Sequence, residues 1–345
     1  MPDAALLPGD TARADDTEGL TVENVCVTYR TGRALFSRGV PVRAVRDASF
    51  TVPKGHTLGI VGESGCGKSS LARALVGLAP ISAGRVTWRG RQVSGLPEKA
   101  FRALRRDIQM VFQDPYSSLN PKLRVFDVLA EPLRTHMPGL TRADLTERVG
   151  DILVTVGLQR EMMGRYSHEL SGGQAQRIGI GRAVITRPGL LICDESVSAL
   201  DVSVQATILN LLRSLQDDLD LSMIFISHDL GVIKYVSDSV AVLYLGEIVE
   251  SGPVEAVLDA PSHPYTQLLL RSSLSPDGRR ISAATEDAVP VELPSNTAPP
   301  EGCAFRARCP RARQDCAAAP RLLPTSGPAH RAACHFPIQP GEVAG

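Results

Sequence analysis

Gly62-Glu63-Ser64-Gly65-Cys66-Gly67-Lys68-Ser69 sets glycines at three positions and closes on a lysine and a hydroxyl, directly after the apolar run Thr57 to Val61. Glycines spaced this way allow tight turns whose N–H groups point inward at the start of a helix. The arrangement suits a polyphosphate: backbone amides for its oxygens, Lys68 as a point charge for the β- and γ-phosphates, Ser69 as a hydroxyl ligand for Mg²⁺, and Ser70 for a further hydrogen bond. A second chemical string, Leu190-Leu191-Ile192-Cys193, is an apolar strand that ends in Asp194-Glu195. Asp194 is then placed for the magnesium shell, and Glu195 for orienting or deprotonating an attacking water. Taken alone, an Asp-Glu pair is a solvated strand end; the upstream loop is what makes it chemical. A third string, Leu170-Ser171-Gly172-Gly173-Gln174, is another glycine-rich turn at a helix start, and again suits an anion.

These strings need a frame. Leu20 to Tyr29 alternates apolar and polar in the manner of a half-buried strand, and Ala48 to Val52 and Arg85 to Trp88 supply further strands of a peripheral sheet. Thr57 to Gly62 is a continuous buried strand running into the loop, and Ser69 to Leu78 continues as a helix. From about Tyr116 to His168 the periodicity becomes helical. Helix Gly173 to Thr186, strand Leu190 to Cys193, helix Val202 to Asp217, strand Met223 to Ile226 and helix Leu230 to Val236 then alternate, which predicts a mostly parallel sheet closed by strands on either side of Gly246. After Arg271 the composition shifts to Pro, Ser, Ala and Gly.

Read in this order, the loop, the Ser171 turn and the Asp194-Glu195 strand end resemble the ATP-binding cassette family. The phosphate-loop context implies an α/β fold with a P-loop NTPase (RecA-like) core, an antiparallel β subdomain, an inserted α-helical subdomain and a small irregular C-terminal cysteine-rich extension. The resemblance gives further residues their roles. Gln113, in Val111-Phe112-Gln113-Asp114-Pro115, matches the glutamine that contacts Mg²⁺ and water; His228, in Ile226-Ser227-His228-Asp229, matches the switch histidine at the γ-phosphate; Asp201 matches the aspartate that communicates between paired sites. In this family Ser171, Gly172, Gly173 and Gln174 cap an ATP held by the opposite subunit. Tyr29, at a strand end, is a candidate to stack on adenine, though such a ring is more often simple packing.

The strings from Phe112 to Pro121, Glu195 to Ser203, Ser227 to Leu230, and His263-Pro264-Tyr265-Thr266 resemble the oligopeptide/dipeptide importer branch, which nickel and glutathione importers share. The expected layout is a tail over 1–19, an ATP-binding domain over 20–271 with its helical subdomain at about 115–172, a linker over 272–299, a cysteine-rich extension over 300–336, and a tail over 337–345. The branch implies a second cassette subunit, identical or related, two transmembrane permease subunits, an extracytoplasmic solute-binding protein, and a peripheral position on the cytoplasmic face of the bacterial membrane. Soluble cassette ATPases of translation or DNA repair are the rival class, but they carry paired cassettes or a long coiled coil, neither of which is visible here. A redox-sensing module built on the cysteines is another.

Bulk properties agree. Basic and acidic residues number 37 each in 345 residues, so composition makes no case for nucleic acid as a partner. Residues 1–19 carry several acidic groups without a basic or apolar run, which predicts a disordered tail and neither a signal nor a transit peptide. No run approaches the roughly 18 apolar residues of a membrane helix. Of seven cysteines, Cys26, Cys66 and Cys193 are scattered, while Cys303, Cys309, Cys316 and Cys334 gather in the extension. Four thiolates there could hold a [4Fe–4S] cluster, as some branch members are thought to; Zn²⁺ or no metal at all are the alternatives, since the spacing matches neither ferredoxins nor a usual zinc ribbon. Arg306, Arg308, Arg311 and Arg313 beside them could offset thiolate charge or meet an acidic surface or lipid phosphate.

Overall fold

The computed structural model describes residues 19–31, 40–198, 200–272 and 300–339, so the expected tail over 1–19 and the linker over 272–299 lie almost wholly outside the described residues. The alternating N-terminal segment forms β1 (Leu20–Thr31), antiparallel to β2 (Val40–Val52). A register shift between Val22 and Val25 inserts one residue, so Leu20, Val22, Val25 and Val27 all face inward despite the break in strict alternation. β3 (Thr57–Val61) is buried at every position, as a strand covered on both faces must be. It leads through the loop into α1 (Lys68–Leu75). β4 (Ala83–Trp88) and β5 (Arg91–Gln92) complete a four-stranded sheet in the order β2-β1-β4-β5. α2 (Glu98–Leu104) and β6 (Ile108–Val111) return the chain to the main sheet.

The helical segment contains α3 (Val125–His136) and α4 (Arg142–Thr155), followed by short 3-10 turns at Arg160–Gly164 and Ser167–Glu169. α4 starts where Thr141 and Asp144 cap each other reciprocally, the arrangement that satisfies two otherwise orphaned donors. Val125, Leu129, Leu133, Leu145, Val149 and Leu153 recur at helical spacing and bury a small core of their own. α5 (Gly172–Val184) belongs to both bodies: Ile178 packs into that core and Ile180 into the main one.

β7 (Leu190–Asp194), α6 (Val202–Leu219), β8 (Ser222–Ile226), α7 (Leu230–Val236), β9 (Ser239–Tyr244) and β10 (Glu247–Pro253) follow, then α8 (Val254–Asp259) and α9 (Pro264–Ser272). Strands β6, β7, β8, β3 and β9 are parallel, and β10 turns back on β9 through Gly246, whose φ is +84. Gln113, Asp194, Ser227 and the phosphate loop therefore all leave the sheet at the carboxyl ends of neighbouring strands, the side on which open α/β sheets place their ligands.

The extension is less irregular than its composition suggests. β11 (Leu323–Gly327) and β12 (His330–Ala332) pair with each other, and β12 pairs with β10 through Glu250 opposite Ala332. The main sheet is thus eight-stranded, in the order β11-β12-β10-β9-β3-β8-β7-β6. Proline and glycine at 324 and 327 hide β11 from a propensity reading; its pairing with β12, itself paired with β10, overrides it. Cys303, Phe305 and Cys316 lie in the same hydrophobic core as β7 and α6. Among the described residues no helix is long and apolar enough to cross a membrane.

Candidate functional site

The loop after β3 holds its shape because two positions admit no side chain. Gly62 and Gly67 sit at φ +153 and +111, and a Cβ on either would run into a backbone carbonyl, of Leu243 and Ala44 respectively. Lys68 is 4% exposed, and its Nζ donates to Gly62 O at 2.7 Å and Glu63 O at 3.1 Å. With the Cys66 thiol at 3.9 Å as its other partner, this buried ammonium has no carboxylate paired with it among the described residues, and it sits on the loop where a polyphosphate fits. Ser64, Gly65, Cys66 and Ser70 complete the loop and the first turn of α1; burial pushes the Cys66 thiol up, so it stays neutral.

From the next residue, Ser69 Oγ donates to Asp194 Oδ1 at 2.9 Å. Asp194 is 4% exposed at the end of β7. Burial raises its carboxyl above the ordinary range, the Ser69 hydrogen bond opposes this, and the charge of Glu195 adds to it. A hydroxyl and a buried carboxylate converging in this way form an oxygen donor set that suits Mg²⁺.

Glu195 takes φ +47, uncommon for a residue with a side chain. It is held there by its own N–H, which donates to Ile226 O at 3.0 Å, and by Ser198 Oγ, which donates to Glu195 O at 2.9 Å. Gln113 Nε2 donates to Glu195 Oε2 at 2.9 Å, and His228 Nδ1 stands 3.9 Å from the same oxygen. The residues after β6, β7 and β8 thus converge on one carboxylate oxygen. His228 is exposed, in a turn held by Asp229, whose carboxylate accepts from the N–H groups of Gly231 and Val232 at the start of α7. A carboxylate with one amide donor and an imidazole nearby, next to a metal-type oxygen pair, can take a proton from water.

The Ser171 turn lies elsewhere. Ser171 Oγ accepts from Gln174 N–H at 3.3 Å while Gln174 Oε1 accepts from Ser171 N–H at 3.0 Å, so the two cap α5. The hollow beside it is lined by Ser171, Gly173, Gln174, Arg177, Ser203 and Val204, together with Thr207, and by no residue of the phosphate loop. Within one chain the structure does not bring Ser171, Gly172, Gly173 or Gln174 to Lys68. Asp201 precedes α6 as its N-cap residue, but its side chain makes no capping hydrogen bond. Tyr29 lies opposite Val42 of β2, partly buried against the core of the peripheral sheet.

One residue of the loop departs from the role expected of it. Glu63 lies in the phosphate-loop string, yet its N–H donates to Tyr265 Oη at 2.9 Å, and its two carboxylate oxygens accept from Nη1 and Nη2 of Arg308, both at 2.8 Å. Its amide is therefore not a free donor for an anion. Tyr265, fully buried, packs at a tilt against Tyr244 and Phe305 at centroid distances of 4.5 Å and 5.5 Å, and the Arg308 guanidinium lies over Tyr244 and Phe305. Under this cluster Glu250, with no exposed surface, accepts from the N–H groups of Ser262 and His263 and pairs with His330 Nε2 at 2.7 Å. His263-Pro264-Tyr265-Thr266 marks a family in sequence; in three dimensions it is the seat on which the extension meets the phosphate loop.

The four cysteines of the extension come near one another without forming a ligand cage. Cys303 N–H donates to Cys316 O at 3.0 Å, and Arg313 N–H to Cys316 Sγ at 3.5 Å. Burial raises the thiols of Cys303 and Cys309 and pushes that of Cys334 up to about 11, with the neighbouring cysteines adding to each. The donor chemistry of four such thiols suits a soft metal or cluster. Among the described residues, however, no group of three or more His, Cys, Asp or Glu side chains is arranged to hold a metal ion, so the expected ligand set is close but not assembled.

Comparison with known proteins agrees with this geometry. A family profile described as ABC transporter matches residues 45–198, and one described as Oligopeptide/dipeptide transporter, C-terminal region, matches residues 249–316. The oligopeptide transport ATP-binding protein OppF of Escherichia coli is 49% identical over 276 residues, covering 80% of this chain and 83% of that protein. AppF of Bacillus subtilis, also an oligopeptide transport ATP-binding protein, is 46% identical over 305 residues, covering 88% and 92%. Among solved structures, a dimeric post-hydrolysis ATP-binding cassette bound to ADP and Pi is similar with a TM-score of 0.62 and 25% identity, covering 68% of this chain and 98% of that one.

Proposed function

Given that this chain belongs to the ABC transporter family, in its oligopeptide transport ATP-binding branch, we propose that it works as one of two cassettes that close head to tail on a peptide importer. The chain is the ATP-hydrolysing subunit, coupling ATP to peptide transport. It acts with membrane permeases. The finer reading adds a second cassette, identical or related, and two permease subunits that receive peptide from an extracytoplasmic solute-binding protein, with this subunit peripheral on the cytoplasmic face of a bacterial membrane.

The observation that carries the reading is the convergence of Gln113 and His228 on Glu195, beside the Ser69–Asp194 pair and the loop of Lys68. Lys68 and the loop amides bind the β- and γ-phosphates, and Ser69 and Asp194, with Gln113 beside them, are the residues that would hold Mg²⁺. When bound, that ion draws charge from the phosphate oxygens. Glu195 orients a water and accepts its proton as the water oxygen bonds to the γ-phosphorus; the bond to the β–γ bridging oxygen breaks, leaving ADP and phosphate. His228 hydrogen-bonds the γ-phosphate in this reading. Ser171, Gly172 and Gly173 face the γ-phosphate held by the partner cassette, Asp201 lies between the two sites, and Tyr29 stacks on adenine. The separation of the Ser171 hollow from the phosphate loop supports this division of labour.

The test is Glu195→Gln in the reconstituted complex, expected to bind ATP and hold the cassette dimer closed while turnover nearly stops. Full ATPase activity in that variant would refute the role of Glu195. For the extension, Cys303, Cys309, Cys316 and Cys334 are the residues that would hold a [4Fe–4S] cluster, with Zn²⁺ as the alternative. Iron, sulfide and zinc measured per chain after anaerobic purification decide between cluster, zinc and no metal.

A further inference from the structure

Glu63 is tied at every polar group it has. Its N–H goes to Tyr265, its carbonyl accepts from Lys68 Nζ at 3.1 Å, and its carboxylate accepts both Arg308 bonds. Two of these three partners come from beyond residue 260. Glu63 is also an acidic side chain within a loop shaped for a polyanion, and like charges at that range repel. Arg308 removes the conflict: its planar fork engages both oxygens at once, which neutralises Glu63 and fixes where it points.

The fork is itself held. Its side chain and that of Glu63 are 19% and 26% exposed, and the guanidinium lies 5.8 Å from the Tyr244 centroid and 5.7 Å from that of Phe305. Tyr244 and Phe305 are buried, so the arginine rests on a platform that does not move independently of the core. An ion pair this constrained loses less to side-chain entropy and solvent than one on an open surface.

We propose that Arg308 is a positioning residue for ATP: by neutralising Glu63 it holds the entry of the phosphate loop in the form that admits the polyphosphate, making the C-terminal extension part of the nucleotide site. It touches no phosphate and acts through Glu63 and, beyond it, the carbonyl that carries Lys68. The inference rests on the ATPase reading above.

The experiment compares wild type, Arg308→Met, Arg308→Lys, Glu63→Gln and the double variant Glu63→Gln/Arg308→Met. Methionine keeps an apolar stem on the aromatic platform and leaves Glu63 uncompensated. ATP affinity is read by displacement of a fluorescent ATP analogue from the full chain, and KM and kcat from hydrolysis by the assembled complex. Arg308→Met should weaken ATP affinity and raise KM by about fivefold to tenfold, more than it lowers kcat, and the defect should shrink as salt is raised. Lysine should restore part of the affinity. The decisive variant is the double one: removing the stranded carboxylate should return affinity to within about twofold of wild type, by loss of the like-charge repulsion.

A mere tether between extension and core predicts the opposite, with the double variant as impaired as Arg308→Met. That result, or unchanged affinity in Arg308→Met, overturns the proposal. If Arg308→Met does not fold, Arg308→Lys and the double variant still decide. A wild type that binds ATP without hydrolysing it would sink the ATPase reading and leave this affinity test in force.

Discussion

Gln113 Nε2 donates to Oε2 of Glu195 at 2.9 Å, so the residue that opens the loop after β6 sets the direction of the carboxylate at the end of β7. Beyond Gln113 the chain passes directly into the helical segment, through Tyr116, whose hydroxyl donates to Leu170 O at 3.1 Å just before the Ser171 turn. A shift of the helical segment is thereby felt at the carboxylate that must meet water.

Gln113→Ala should therefore lower kcat by about tenfold to a hundredfold with a smaller change in ATP affinity, the pattern of a lost orienting contact. Gln113→Glu should be worse, because it sets a second negative charge against Glu195. Steady-state hydrolysis at saturating Mg-ATP reads both, and a kcat equal to wild type in Gln113→Ala would show that Glu195 needs no such support.

Asp194→Asn keeps the shape at the end of β7 and removes the charge that Ser69 addresses. The Mg²⁺ concentration for half-maximal hydrolysis should rise by about tenfold or more. Burial already raises the Asp194 carboxyl, so acid should neutralise it sooner than an exposed aspartate, and the wild-type Mg²⁺ requirement should climb as pH falls. Magnesium titrations at two pH values check this; a requirement independent of both the substitution and pH would remove Asp194 from the ion's shell.

Glu250 is buried and accepts three hydrogen bonds that join β10, the His263 turn and β12. Its replacement by alanine leaves those donors without a partner and should cost about 3–5 kcal/mol of stability. Denaturant unfolding measures the cost. Glu250→Gln, able to accept but uncharged, should fall between; equal stability of all three proteins would mean the network contributes nothing.

His263 is buried and neutral, its pKa lowered to about 3 by desolvation. The unfolded chain, with an ordinary histidine near 6.5, takes up the proton first as pH falls, so stability is fully present above pH 6.5 and is lost progressively between 6.5 and 3. At pH 5.5 the loss from this one group should be about 1.4 kcal/mol relative to neutral pH. The difference in unfolding free energy between pH 7.5 and 5.5, wild type against His263→Gln, isolates it. An identical difference in the two proteins would contradict the assignment.

Legibility in the sequence followed the range of the contacts. The phosphate loop, the Asp194-Glu195 strand end and the turns at Gln113 and His228 are short strings whose neighbours along the chain are also their neighbours in space, and a parallel sheet collects such strings at one edge. β1 was legible through its alternation, although the inserted residue near Asn24 was not. The Arg308–Glu63 pair joins residues 245 positions apart, and nothing local in Arg306 to Arg313 distinguishes the arginine that pairs with a distant carboxylate from the other arginines beside it. β11 and β12 were hidden for a related reason: their strand character comes from the pairing of β12 with β10 and of β11 with β12, not from their own residues.

The pairing of β12 on β10 also bears on how this protein can be handled. A chain cut after α9 would keep the phosphate loop, Asp194 and Glu195, yet it would strip β10 of β12 and leave the backbone at Glu250 and Ser251 unpaired on that side, a raw sheet border. Such a fragment is a template for self-association, and its insolubility would say nothing about ATP. Shortening or grafting experiments have to keep the two terminal strands with the cassette they close, together with buried Ile338, whose N–H donates to Ser262 O at 2.8 Å.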